Sequence, residues 1–205
     1  IFNTLCKQNT NSLLLDSAEI GSKNSLQSLI LINAAVKITC LGNQVTFRAL
    51  NANGKQVLKE IHPVLSQLGT VSAVNFDNEF SVQFAPLDNQ LDEDSKLQAA
   101  TIFDGLRVIS NHYQHSSTPV FLGGLFAYDL VANFIPMQGV ELKDDGINCP
   151  DYSFYLAENL ITIDHQTQQA TLKSFCFSQE EQVEVAKTAL SIAQKLKNID
   201  GVLSI

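Results

Sequence analysis

What this sequence lacks narrows it first. No Lys/Arg cluster occurs anywhere along the 205 residues, and the formal net charge is −8. Nucleic acid and anionic membranes would both be repelled, so neither is expected as a partner. The four cysteines, Cys6, Cys40, Cys149 and Cys176, are far apart, and none stands in a CxxC pair. That spacing argues against a zinc site and against a disulfide framework. They read as reduced thiols of a cytoplasmic protein. No apolar run approaches the ~20 residues needed to span a bilayer, and no basic-then-apolar leader opens the chain. GxSxG, HExxH and the P-loop pattern are all missing. Four histidines without a motif give no basis for a triad, so no catalytic residue is expected here.

What is present has the profile of an ordinary globular protein, with 45% hydrophobic and 17% charged residues. A domain of this length buries roughly 70% of its unfolded surface and needs no staples. The patterning predicts an α+β fold, mostly antiparallel sheet with hairpins, packed against about three to four helices. Runs at 29–41 and 44–50 are separated by Gly42-Asn43, a hairpin signal. A second hairpin is expected from 151–164 and 169–177, turning through His165-Gln166-Thr167. Residues 79–85 alternate cleanly and predict a half-buried strand.

Helical spacing covers 55–68, with Pro63 inside it, so a kink or a restart is expected there. Another helix, capped by Asp94 or Ser95, is expected to carry a stripe of Leu97, Ala100, Phe103, Leu106 and Ile109. The acidic cluster Asp92, Glu93 and Asp94 suits that helix N-terminus better than a metal. A capping box, Ser178 to Glu181, opens the last helix, with a stripe through Val185, Ile192 and Leu196. In 120–129, Gly123-Gly124 marks a strand approached closely by another backbone, or a bulge. His112 and His115 could share a helix face, but no third ligand lies near, and metal is set aside. The chain starts at Ile1 inside an apolar pattern and stops at Ile205 where another begins, so a piece of a longer protein is expected.

One stretch stands out. Leu13-Leu14-Leu15 is a short apolar run that ends abruptly in Asp16-Ser17. It predicts a buried strand whose exit places a carboxylate and a hydroxyl at the rim of the core. At that position the pair can cap the next turn or contact a ligand, and the residues alone leave both roles open.

Six segments in order then carry a resemblance. They are 13–23 (LLLDSAEIGSK), 28–42 with its SLIL and ITCLG, 91–94 (LDED), 121–131 (FLGGLFAYDLV), 148–151 (NCPD) and 163–166 (IDHQ). Together they resemble anthranilate synthase component I over nearly the whole chain. The resemblance implies that 1–205 is the N-terminal regulatory domain of a two-domain enzyme that makes anthranilate from chorismate. Ammonia would come from a glutamine amidotransferase subunit, component II. Mg²⁺ and chorismate would be held by the protein's own C-terminal catalytic domain, outside this chain, and no cofactor belongs to this part. The N-terminal domain would supply most of one wall of the L-tryptophan feedback site.

In that reading Asp16 balances the ligand's ammonium, Ser17 hydrogen-bonds the zwitterion, and Leu14 and Leu15 help wall the indole. The family usually has Glu where this chain has Asp16. Lys23 matches a family lysine, or is simply a solvated loop charge. Gly123, Gly124 and Tyr128 read as packing residues at the domain junction. Two rivals remain open: the N-terminal domain of aminodeoxychorismate synthase component I, and a free-standing amino-acid-binding or amidotransferase-docking module. The LLLDSAEIGSK stretch and NCPD favour anthranilate synthase.

Overall fold

The computed structural model describes residues 1–7, 9–16, 27–75, 78–86, 92–115, 119–134 and 149–198. Along the chain the elements are α1 (Phe2–Cys6), β1 (Leu13–Asp16), β2 (Gln27–Leu41), β3 (Gln44–Ala49), α2 (Ala52–Leu68), β4 (Thr70–Asn75), β5 (Glu79–Gln83), α3 (Glu93–Gln98), α4 (Asp104–His112), β6 (Leu122–Phe126), β7 (Tyr152–Asp164), β8 (Gln169–Ser174) and α5 (Gln182–Lys197). Short 3-10 turns stand at Tyr128–Asn133 and Gln179–Glu181. This is the expected α+β class, with every strand pair antiparallel. The described helices number five rather than three to four.

Two long strands, β2 and β7, organise the sheet. They pair along nearly their whole length, with register shifts between Leu31 and Val36. Such irregularities bend a strand and increase its twist. They divide one eight-stranded sheet into two halves. Beyond the bend lies a six-strand half in the order β4-β5-β3-β2-β7-β6. Before it lies a four-strand half, in which β1 pairs with the start of β2 and β8 with the end of β7.

The six-strand half holds the main core. Val36, Ile38, Cys40, Val45, Phe47, Phe80 and Val82 alternate along their strands and meet Val57, Leu58, Ile61 and Leu65 of α2. Phe47 stacks on Phe80 with ring centroids 5.2 Å apart. Asn51 caps α2 by accepting from the Gly54 N–H at 2.8 Å. Gly54 has to be glycine, because a Cβ there would lie 1.9 Å from the Ala35 carbonyl oxygen. The four-strand half packs Ile30, Ile32 and Ile161 against Cys6 of α1 and Ile192 and Leu196 of α5.

A buried polar knot joins the halves at the bend. Asn51 and Asn53 each donate to Glu158 Oε2, at 2.9 and 2.8 Å. Asn53 also donates to the Phe175 carbonyl and accepts from the Phe177 and Ser178 N–H groups. Burial holds the Glu158 carboxyl above the usual range, and the two asparagines partly offset this.

Several expectations change here. The helix through Pro63 is uninterrupted from Ala52 to Leu68. Pro63 is on the exposed side, where water can serve a carbonyl left without its N–H partner, while Ile61 and Leu65 anchor both flanks in the core. The single helix expected over 94–109 is two. The backbone turns extended at Ala99, and the Thr101 N–H donates to the Asp104 carboxylate at 2.7 Å rather than to a preceding carbonyl. Asp92, rather than Asp94 or Ser95, caps α3, and Leu97 is 84% exposed. Ser178 makes no side-chain cap; the Glu181 N–H donates to the Ser178 backbone carbonyl instead. Strand β4 was not anticipated.

Candidate functional site

The end of β1 is the part of the described structure that brings the expected ligand residues to the surface. β1 is a strand, as expected, but it is not buried. Leu14 is 43% and Leu15 39% exposed, and Asp16 is exposed. The reason is topological: among the described residues β1 pairs only with β2, so it lies at an edge of the four-strand half.

Successive strand residues point to opposite faces. Leu14 and Asp16 therefore share one face with their partners Ile30 and Ser28, the face packed by α1 and α5. Leu15 points to the other face with Leu13 and Leu29, towards Leu31, Leu160 and Phe175. The structure thus brings Leu14 together with Asp16 and sets Leu15 apart from them. Ser17 and Lys23 lie outside the described residues.

Asp16 is held. Ser28, on the neighbouring strand, donates its hydroxyl to Asp16 Oδ1 at 2.6 Å. The Ser28 hydroxyl oxygen itself lies 2.6 Å from His165 Nε2. His165 stands just past the end of β7, in the turn whose Gln166 and Thr167 N–H groups both donate to Asp164. Those bonds, that of Thr167 foremost, hold the Asp164 carboxyl below the usual range. In the sequence His165 is a turn residue without a companion, and nothing local marks Ser28. The partners stand 12 and 137 residues from Ser28, and only strand register brings them together.

The other candidate groups are structural. His112 ends α4, so it shares no helix face with His115; its Nε2 meets Glu60 at 3.1 Å, beside Tyr113, which donates to the same oxygen at 2.7 Å. Cys40 is fully buried and its thiol is pushed up to about 12, by burial and then by Asp151. It is not a nucleophile at neutral pH. A Cβ on Gly124 would lie 2.2 Å from the Ser153 carbonyl oxygen, so the close backbone approach expected there is real. Tyr128 is 88% exposed and packs little within the described chain. Among the described residues no three His, Cys, Asp or Glu side chains converge on a metal-sized site, and no helix is long and apolar enough to cross a membrane.

Comparison with known proteins gives the same direction as the residue patterns. The sequence model described as chorismate binding enzyme matches residues 56–200. Anthranilate synthase component 1 of Haemophilus influenzae is 85% identical over all 205 residues, which cover 40% of that protein. The protein of the same name from Escherichia coli is 36% identical over 192 residues, covering 92% of this chain and 36% of the relative. The chain therefore spans well under half the length of these relatives. A crystal structure of anthranilate synthase component I from Streptococcus pneumoniae covers 90% of this chain and 32% of the other, at 13% identity and a TM-score of 0.43. That likeness is too weak to build on.

Proposed function

This chain belongs to the chorismate-binding enzyme family, and on that premise we propose that it is the N-terminal part of an anthranilate synthase component I. The observation that carries the reading is the 85% identity to one such protein along the entire chain. The whole enzyme would convert chorismate and glutamine-derived ammonia to anthranilate and pyruvate in the cytoplasm. Component II, an amidotransferase, would deliver the ammonia. The chemistry would belong to a C-terminal catalytic domain and its Mg²⁺. The described residues here do not fit a Mg²⁺ site, since hard cations need several converging oxygens and no such group forms. No catalytic step is assigned to them.

The role proposed for this part is regulatory: one wall of the L-tryptophan site, at the exit of β1. A free amino acid offers an ammonium, a carboxylate and, here, an indole. Asp16 is an exposed, oriented carboxylate suited to the first. Leu14 offers apolar surface on the same face, and Ser17 and Lys23 would complete the polar contacts. Leu15, facing the other way, would wall the indole from beneath only if the ligand wraps the strand edge. Tryptophan would inhibit by binding more tightly to a domain arrangement poor in chorismate turnover.

The test is calorimetric titration with L-tryptophan of the full-length protein and of the 205-residue chain, beside a product assay on the former. Anthranilate as product, with binding by the full-length protein alone, is the expected result and makes this chain one wall of the site. Binding by both would place the whole pocket here. Aminodeoxychorismate as product, or no binding by either, would overturn the reading.

A further inference from the structure

We propose that Ser28 and His165 are positioning residues for the Asp16 carboxylate, forming a directed chain that fixes how it meets a ligand ammonium. This rests on the regulatory reading of Asp16 given above. The chain is set by strand register: Asp16 lies opposite Ser28, and Ser28 opposite Ile163, two residues before His165. Ser28 is 5% exposed, whereas Asp16 and His165 are exposed. Its hydroxyl is 2.6 Å from both.

Proton counting gives the direction. A carboxylate only accepts, and a serine hydroxyl has one proton. That proton goes to Asp16 Oδ1, so His165 must donate from Nε2 into Ser28 Oγ. The order is His165 Nε2–H to Ser28 Oγ–H to Asp16 Oδ1, each bond polarising the next. This is the reverse of a nucleophilic arrangement, in which a serine gives its proton to the histidine. The hydroxyl here is buried and its proton is committed to the acid. What remains for it is geometry: one carboxylate oxygen is tied down, which leaves the other to accept from a ligand. An aspartate on an edge strand would otherwise sample several rotamers, and fixing one removes that entropy cost from ligand binding.

The experiment uses the full-length enzyme and reads the L-tryptophan concentration for half-inhibition, each variant taken relative to its own uninhibited rate. Ser28→Ala is expected to raise it about tenfold, the size expected for losing a hydrogen bond to a charged group. Ser28→Thr, which returns the hydroxyl, should recover most of that. His165→Leu removes the donor and should raise it about threefold, while His165→Gln, which keeps an N–H, should not. His165 is on the surface, so this pair decides the matter if Ser28→Ala folds poorly. A double-mutant cycle separates positioning from mere packing: in an Asp16→Asn background, Ser28→Ala should add less than about twofold. If Asp16→Asn itself leaves inhibition unchanged, the underlying site assignment falls. If Asp16→Asn weakens inhibition while Ser28→Ala and His165→Leu do not, or if the two effects simply add, the positioning chain falls and the site assignment stands.

Discussion

The two halves of the sheet are built from the same two strands, yet they differ in what covers them. Beyond the bend, β2 and β7 are flanked by β3 and β6 and roofed by the 17-residue α2, and the side chains between are sealed from water. Before the bend, the same strands are flanked by a four-residue β1 and by β8, with a five-residue α1 and one face of α5 above them. The first half has aromatic stacking at its centre. The second has a serine hydroxyl held between an acid and a histidine at its rim. One half is a scaffold, and the other extends from it with a half-exposed edge among the described residues.

The sharpest way to break that contrast is in the scaffold. Phe47 is completely buried and stacked on Phe80, so Phe47→Ala removes a ring and leaves a cavity that α2 cannot close. A loss of about 4 kcal/mol in unfolding free energy is expected from urea titration of this chain. A loss under about 1 kcal/mol would mean that the six-strand half is not the stabilising one.

A smaller effect tests the knot between the halves. Glu158 has its carboxyl raised above the unfolded value by burial. A raised group binds more protons folded than unfolded between the two values, so stability falls as pH rises through that window, upward from about 4.3. Its contribution is complete below the unfolded value and lost above the folded one. Glu158→Gln removes the titration. The expected outcome is that the variant gains on the native chain between pH 4 and pH 7. A stability difference that stays flat across that range would show that Glu158 is not desolvated in solution.

Local chemistry explains which of these features could be read from the sequence. The Gly42-Asn43 turn is legible because the strand ends need a positive φ, which Gly42 supplies at 57°. The hairpin at 165–167 is legible for similar reasons of turn composition. β4 was missed because it is only six residues long and Ala73 and Asn75 are poor strand formers, which weakens its alternation. The break between α3 and α4 is invisible in the sequence because the apolar spacing runs on across it, while the backbone turns extended at Ala99. The strand at 13–16 was legible but not its exposure, which depends on where it sits in the sheet. The same holds for Ser28: a serine at the start of a strand says nothing until register sets Asp16 on one side and His165 on the other.

The smallest predicted effect is also the one that completes the comparison. Leu15 is chemically as apolar as the residues around Phe47, and from sequence the LLL run looks the more hydrophobic of the two. In the fold it is 39% exposed on an edge strand, and truncating it removes little buried surface and leaves no enclosed cavity. Leu15→Ala should therefore lower the stability of this chain by no more than about 0.5 kcal/mol in the same urea titration. If the cost approaches that of Phe47→Ala, the edge of the four-strand half is packed in solution and the open rim disappears. If it is small, the third leucine of the run is a half-exposed edge residue whose apolar character folding of this chain does not need.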